Sequence, residues 1–122
     1  MGTFYVGCRI ENHTDRSRFA RLPKVLVDSG SEYTWVWEAT LEKMGVVREK
    51  KDLTLIMANG SQITRSVGFV IIRVDEYFTV DEVVFAQKGD LQLLGARTLE
   101  GLILRVDARQ KKLVAGGPLP AA

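Results

Sequence analysis

The sequence predicts an all-β domain with one or two short helices, and three observations lead to this fold class. The chain has 122 residues, of which 46% are hydrophobic and 26% are charged, as is usual for one globular domain. Its apolar segments are short, rich in β-branched residues and bounded by turn-forming residues, a pattern typical of strands. Two of these segments flank Asn59-Gly60, a dipeptide that strongly favours a tight hairpin turn.

The predicted strands follow one another along the chain and are separated by polar or glycine-containing segments. Polar residues 11–18 predict a loop after the first strand. The second strand ends in three apolar residues, 25–27, as is typical of a strand buried on both faces. A single domain over residues 1–115 is expected, followed by a Gly/Pro-rich, disordered C-terminal tail over 116–122. In order, the predicted strands span residues 4–10, 22–27, 53–58, 63–74, 78–85, 91–94, 104–107 and 112–115.

Two places in the sequence predict helical structure. Trp37, Leu41 and Met44 recur at the spacing of one helix face, and Gly45 follows where a helix commonly ends in a left-handed residue. Residues 97–102 predict a single helical turn. Both helices are short, so strand pairing is expected to dominate the fold.

The charge and the cysteine content exclude several classes of function. The net charge is +2, from 17 basic and 15 acidic side chains, and the basic residues form only short clusters, so nucleic-acid binding is not expected. Cys8 is the only cysteine and His13 the only histidine, which excludes an internal disulfide and a His/Cys zinc cluster. We therefore expect no metal and no other cofactor. The counts alone leave a Cys8–His13 dyad open, but Cys8 is expected to be an ordinary strand residue.

Three further features bear on where the chain resides. A lone thiol fits a reducing compartment, and residues 1–10 lack the basic start and apolar core of a signal peptide. No apolar run approaches the roughly 20 residues that a membrane-spanning helix needs. We therefore expect a cytoplasmic chain without a membrane span, either alone or as a fragment of a larger or membrane-attached protein.

Asp28 is the residue around which reactive chemistry concentrates. It ends the second predicted strand and is followed by Ser29, Gly30 and Ser31, residues that favour a turn. A carboxyl group in this place begins its turn among apolar side chains, Ser29 adds a hydroxyl beside it, and Gly30 permits backbone conformations that other residues resist. Asp-Ser-Gly alone is also a common turn sequence, so the residues around it must decide between an ordinary turn and a functional site.

Those surroundings resemble the retropepsin-like aspartic proteases, the single-domain enzymes of retroviruses and their bacterial and eukaryotic relatives. The apolar strand running into Asp-Ser-Gly at 28–30 matches their signature, and Leu-Leu-Gly at 93–95 before a helical turn matches their second motif. The closing segment, residues 102–113, is closest in pattern to bacterial members. The resemblance covers residues 4–115 and implies a retropepsin-like closed β-barrel with a flap hairpin and one or two short helices.

The resemblance also implies an aspartic endopeptidase that acts on peptides or proteins as a two-fold homodimer. The family uses two aspartates that share a proton, one activating water and the other polarising the scissile carbonyl. This chain has one such triplet, so the second carboxyl group would be Asp28 of a second copy. The implied site residues are Asp28 for catalysis, Ser29 and Gly30 as its support, and Ser31, Glu32, Met57, Ala58, Asn59 and Gly60 for substrate binding.

One departure from the family pattern concerns Glu32. Many retroviral members pair an acid at this position with an arginine directly after the glycine of the second motif. This chain has Ala96 there and Arg97 one place later, so the ion pair is left open. Two other functions are also left open: a catalytically weak, protease-like module for dimerisation or peptide binding, and an unrelated β-barrel binding module.

Overall fold

The computed structural model describes residues 3–122 and confirms the all-β fold class. Among these residues nine strands are joined by two helices of six and seven residues, which lie where the sequence predicts helical structure. The elements are β1 (Tyr5–Asn12), β2 (Asp15–Val27), β3 (Thr34–Trp37), α1 (Glu38–Lys43), β4 (Lys50–Ile56), β5 (Gln62–Val74), β6 (Tyr77–Ala86), β7 (Leu93–Leu94), α2 (Ala96–Leu102), β8 (Leu104–Asp107) and β9 (Lys112–Ala115).

Most strands belong to one sheet that closes on itself. The hydrogen-bonded order is β1-β2-β7-β3-β6-β5-β4, and β1 also pairs with β5, so six strands form a barrel and β4 extends it alongside β5. β5 can pair with several strands because it is 13 residues long. Its first part pairs with β4, and its later part, from Val70 to Arg73, pairs with β1. β8 and β9 form a separate two-stranded sheet.

Two apolar clusters lie inside this framework. The larger cluster fills the barrel and includes the fully buried side chains of Ile10, Val70 and Phe85. The smaller cluster includes Trp35 and Leu93, at the end of the barrel where β3 meets β7. Burial of one such aliphatic or aromatic side chain contributes about 1.5–3 kcal/mol. The larger cluster therefore supplies most of the apolar stabilisation.

The segment between the first two strands is not the loop that its polarity predicts. β1 continues through Asn12 and β2 begins at Asp15, so only residues 13–14 form the turn. Asn12 stabilises this turn, because its Oδ1 accepts hydrogen bonds from the Thr14 backbone N–H at 2.9 Å and from the Thr14 hydroxyl at 2.8 Å. Most side chains of the segment are exposed, so strand pairing leaves their polar groups in water.

The lone cysteine and histidine do not form a nucleophilic pair. Cys8 lies on the inner face of β1 in the larger apolar cluster, and burial raises the pKa of its thiol to about 12. The thiol is therefore protonated at neutral pH and is a poor nucleophile. His13 occupies the exposed β1–β2 turn, where its ring packs edge-on against Phe69 with 5.9 Å between the ring centroids.

The limits of the domain stay predictions. All described elements lie within residues 5–115, and residues 116–122 contain no helix or strand. Residues 1–2 of the predicted domain lie outside the described residues. Neither of the two helices in the described range is long and apolar enough to cross a membrane. Within the same range, no group of three or more His, Cys, Asp or Glu side chains is arranged to hold a metal ion.

Candidate active site

Asp28 directly follows the last residue of β2, where this strand lies beside β7. Leu26 and Val27 pair in parallel with Leu93 and Leu94, and the Asp28 backbone N–H donates to the Leu94 carbonyl oxygen at 3.0 Å. The two sequence motifs are thus neighbours in space although about 65 residues separate them. The pairing of β2 with β7 therefore fixes the position of Asp28 at the end of β2. The Asp28 side chain is half-buried there.

A tight turn after Asp28 orients its carboxyl group. The Gly30 backbone N–H donates to Asp28 Oδ1 at 3.0 Å, and the Ser31 N–H donates to the Asp28 carbonyl oxygen at 3.2 Å. A side chain at position 30 would begin 3.2 Å from Asp28 Oδ1, so glycine leaves the carboxylate room. Ser29 and Gly30 are exposed, so this face of the turn is accessible from solvent.

Ser31 uses its polar groups within the loop. Besides the contact of its N–H with Asp28, its hydroxyl donates to the Tyr33 carbonyl oxygen at 3.0 Å. Its own carbonyl oxygen accepts a hydrogen bond of 2.6 Å from the Ala96 N–H at the start of α2. Ser31 therefore joins the Asp28 turn to the second motif, and its contact with substrate stays a prediction.

Gly95 allows the second motif to approach this loop closely. A Cβ atom at position 95 would collide with the carbonyl group of Tyr33 and stand 2.8 Å from the carbonyl oxygen of Ser31. The next residues after Gly95 bond to the same loop, because the Arg97 N–H donates to the Glu32 carbonyl oxygen at 3.2 Å. The Gly95 backbone is extended, with φ −97°, a conformation open to any residue. Glycine is therefore needed here for space and not for its conformational freedom.

The ion pair that the sequence leaves open is formed within the chain. Arg97 Nε lies 3.2 Å from Glu32 Oε2, and its guanidinium group stands over the Tyr33 ring at 4.6 Å. Ala96, the residue that separates Arg97 from Gly95, is the first residue of α2. The Glu32 side chain is 72% exposed, so this ion pair contributes at most about 1 kcal/mol.

A buried polar chain behind the loop was not identified from the sequence. Thr34 and Thr98 are fully buried, and their hydroxyls hydrogen-bond to each other. The Thr98 hydroxyl also contacts Asp81 Oδ2 at 2.7 Å, and the Gly95 backbone N–H donates to Thr34 Oγ1 at 3.0 Å. These contacts connect β6, α2, β3 and the second motif. The sequence offered one sign of these contacts, because Asp81 places a carboxylate inside the apolar strand predicted over 78–85.

The Asn59-Gly60 dipeptide forms the predicted hairpin turn between β4 and β5. The Met57 N–H donates to the Ser61 carbonyl oxygen at 2.8 Å, and Asn59 Oδ1 accepts from the Ser61 N–H at 2.9 Å. Gly60 has φ +85°, a conformation that side chains disfavour. Ala58, Asn59 and Gly60 are exposed, whereas Met57 is half-buried.

The smaller apolar cluster connects this hairpin with the strands that carry Asp28. Met57 packs against that cluster, and so does Leu26, which lies two residues before Asp28. Trp35 of β3 pairs with Leu93 of the second motif in the same cluster. The predicted site residues therefore fall into two groups, the loop at 28–32 and the hairpin turn, joined by apolar packing.

Comparison with known proteins supports this arrangement at the level of the fold. The solution structure of the simian foamy virus (mac) protease matches with a TM-score of 0.52, at 23% sequence identity. The match covers 81% of this chain and 94% of the viral protease chain. The chain has the retropepsin-like fold. No protein-family model matches the chain, and no curated protein sequence matches it.

Proposed function

We propose that the chain is an aspartic endopeptidase whose active site forms between two copies. The observation that carries this proposal is the Asp28 turn, bonded to Leu94 and to the second motif within a retropepsin-like fold. A solvent-accessible, oriented carboxyl group at the end of a paired strand is suited to proton transfer. We also propose that the chain is closest to bacterial members of the family, because of the pattern of its closing segment over residues 102–113.

The chemistry requires a second carboxyl group, and we propose that it is Asp28 of the second copy. The Asp-Ser-Gly triplet occurs once in the 122 residues, so no second triplet is present to complete the pair. A two-fold axis beside the exposed Ser29 and Gly30 would bring the two Asp28 side chains together. Two carboxylates about 3 Å apart cannot both be ionised, so the pair would retain one proton.

That single proton gives the pair two different roles. The ionised Asp28 takes a proton from a water molecule as the water oxygen bonds to the carbonyl carbon of the substrate. The protonated Asp28 of the other copy gives its proton to the carbonyl oxygen, which yields a neutral tetrahedral intermediate. The first Asp28, now protonated, then gives its proton to the amide nitrogen while the other takes a proton from a hydroxyl group of the intermediate. The C–N bond breaks, and a carboxylic acid and an amine are released.

We propose that the hairpin turn at residues 57–60 acts as a flap over an extended peptide. Its exposed backbone groups at Ala58, Asn59 and Gly60 are available to pair with a peptide main chain. Met57, half-buried on the smaller cluster, offers apolar contact to a substrate side chain. Glu32 is exposed beside the Asp28 turn, where its carboxylate could accept a hydrogen bond from the peptide.

Replacement of the catalytic carboxyl group tests the proposed activity. Asp28→Asn keeps the size of the side chain and its capacity to accept the Gly30 hydrogen bond, so we expect a folded protein that cleaves no peptide. Asp15→Asn is the matched control, because the Asp15 side chain is exposed and accepts hydrogen bonds from its neighbour Ser17 at the start of β2. Cleavage is measured on a mixed fluorogenic peptide library from acidic to neutral pH. Cleavage by Asp28→Asn would contradict the assignment.

Mixing the two forms tests whether the site is shared. If subunits exchange freely, equal amounts of wild type and Asp28→Asn leave about a quarter of dimers with two intact Asp28 residues. Activity per wild-type chain then falls to about half, whereas a monomeric enzyme keeps all of it. Sedimentation of both forms gives the oligomeric state independently. Peptide binding by a wild-type dimer without cleavage would favour the catalytically weak binding module instead.

A further inference from the structure

Three arginines stand side by side on the outer face of the barrel. Strands β2, β1, β5 and β6 are neighbours with antiparallel pairing, and their register places Arg21 opposite Arg9 and Arg9 opposite Arg73. Arg73 is in turn opposite Phe78 of β6. Neighbouring strands lie about 4.8 Å apart, so the arginine row spans roughly 10 Å, and roughly 14 Å when Phe78 is included. Like charges placed directly opposite each other repel, so this row carries an energetic cost in the isolated domain.

One carboxylate offsets part of that charge. Two residues further along β1, on the same face of the sheet, Glu11 lies between Phe19 and Ile71. Its Oε2 accepts hydrogen bonds from Arg9 Nε at 2.8 Å and Arg73 Nε at 2.9 Å. Burial alone would raise the pKa of Glu11, but these two arginines outweigh that effect and keep it below its ordinary value. Among the described residues, Glu11 is therefore the carboxylate that forms ion pairs with Arg9 and Arg73, while Asp75 lies nearby without an ion pair to any of the three arginines. Within the described range of residues 3–122, Arg21 forms no ion pair.

Aromatic side chains hold the arginines in place and remain open to solvent. The Arg9 guanidinium lies 3.6 Å from the centre of the Phe19 ring, and that of Arg73 lies 4.9 Å from the centre of the Phe78 ring. Phe19, Phe78 and Val80 are nevertheless 43%, 56% and 61% exposed. Ordered arginines beside exposed aromatic groups lose little conformational entropy on binding, and both residue types are enriched in the cores of protein interfaces.

We propose that this surface docks an acidic segment of a partner protein that also carries apolar side chains. The arginine face is defined by Arg9, Arg21, Arg73, Phe19, Phe78 and Val80. Carboxylates of the partner would neutralise the arginine row, and its apolar side chains would cover the exposed phenylalanine and valine groups. Arg21 lies seven residues before Asp28 on the same chain, about 23 Å along an extended strand. The docked segment would therefore lie away from the proposed active site.

Charge and composition argue for this occupant over others. A second copy docking symmetrically would bring two arginine rows together, which is unfavourable. The C-terminal residues 116–122 contain no acidic side chain. A single-stranded nucleic acid would gain stacking on the phenylalanines, but Val80 and the carboxylate of Glu11 in the centre of the face offer it nothing. A shallow depression of about 440 Å³ beside the face is lined by all three arginines and by one acid, Asp75.

The binding test uses the full chain carrying Asp28→Asn, so that its result does not depend on cleavage. The probe is a fluorescein-labelled peptide of alternating Glu and Leu, and its binding is followed by fluorescence anisotropy at about 50 mM and about 150 mM NaCl. We expect saturable binding that weakens with salt. Matched peptides with Gln in place of Glu, or Ser in place of Leu, should bind at least about 10-fold more weakly.

Variants then locate the binding to this face. Arg21→Glu should weaken binding of the Glu-Leu peptide about 10-fold or more, and Phe78→Ser should weaken it several-fold. Arg109→Glu, in the β8–β9 turn, makes the same charge change on the separate sheet and should leave affinity unchanged. Circular dichroism and thermal unfolding verify that each variant is folded. No binding, or equal losses in Arg21→Glu and Arg109→Glu, would overturn the proposal. Tighter, Arg21-dependent binding to oligo(dT) or to anionic lipid vesicles would replace it with that ligand.

Discussion

The loop around Asp28 and the turn at Asn59-Gly60 are both short, yet they are built in different ways. The Asp28 loop is bonded to residues far away in sequence, through Leu94, Ala96 and the space left by Gly95. The hairpin turn is bonded within itself, by contacts that span at most four residues. The first conformation therefore depends on the whole barrel, and the second depends on local sequence.

This difference suits the functions proposed for the two regions. A reacting carboxyl group needs a fixed position, because small displacements of reacting atoms lower the rate strongly. A flap has to open and close, and a turn whose stabilising contacts are local can move without disturbing the barrel. The following variants test the contrast, from the largest expected loss of stability to the smallest.

Gly95→Ala should have the largest effect, because its Cβ would collide with the Tyr33 carbonyl. All three atoms nearest to this Cβ are backbone atoms of Ser31 and Tyr33, so no flexible side chain can move aside. We expect the free energy of unfolding to fall by about 3 kcal/mol. Urea denaturation measures the change. Gly89→Ala is the control, since its Cβ would meet nothing within 4 Å and only its positive φ is unfavourable. Equal losses in the two variants would show that the close approach at Gly95 is unimportant.

Thr98→Val tests the buried polar chain behind the loop. Valine keeps the shape but removes the hydroxyl that joins Thr34 to Asp81, leaving a carboxylate oxygen without its partner. We expect a loss of about 2 kcal/mol in the free energy of unfolding. Thr98→Ser retains the hydroxyl and should recover most of the loss. An exposed control, Thr64→Val on β5, should change stability by less than about 0.5 kcal/mol.

Asp90→Asn tests the link between the hairpin and the segment before β7. Arg65, near the turn on β5, donates to both carboxylate oxygens of Asp90 at 2.8 and 2.9 Å. These bonds, together with one from the Gln87 backbone N–H, hold the pKa of Asp90 below its ordinary value of 3.8 against the opposing effect of burial. We expect Asp90→Asn to lower the free energy of unfolding by about 1.5 kcal/mol at pH 7.

The pH dependence of that loss follows from the direction of the pKa shift. A carboxyl group with a lowered folded-state pKa contributes stability in full above its ordinary pKa and loses it as the pH falls through the folded value. The difference between wild type and Asp90→Asn should therefore be constant from about pH 7 to 5 and shrink below about pH 4. Urea denaturation at each pH measures it. A difference that stays constant down to pH 2 would contradict the ionic contribution.

Gly60→Ala should have the smallest effect. Its Cβ would meet nothing within 4 Å, so the cost comes only from the positive φ of +85° and should be about 1 kcal/mol. Gly60→Asn should cost less, because asparagine tolerates this conformation better. A loss in Gly60→Ala as large as that in Gly95→Ala would mean that the turn is packed against the barrel, and the contrast between the regions would fail.

Local patterns in the sequence were sufficient where neighbouring residues decide the structure. The hairpin at Asn59-Gly60, the helix ending before Gly45 and the last strand over residues 112–115 all form as predicted. The loop predicted at 11–18 was wrong because its polarity indicated exposure, and an exposed strand face is as polar as a loop. Pairing with β5 extends β1 through Asn12, and no pattern within the segment carries that information.

The candidate site divides in the same way. The sequence by itself determined that Asp28 ends an apolar strand in a turn, because β-branched residues favour strands and the Ser-Gly that follows favours a turn. Only the tertiary structure decided that Leu94 bonds to Asp28, that Arg97 reaches Glu32 and that Asp81 supports the loop through Thr98 and Thr34. These contacts join residues 17 to 66 positions apart. Their geometry depends on strand register and barrel closure, which arise from the packing of the whole chain.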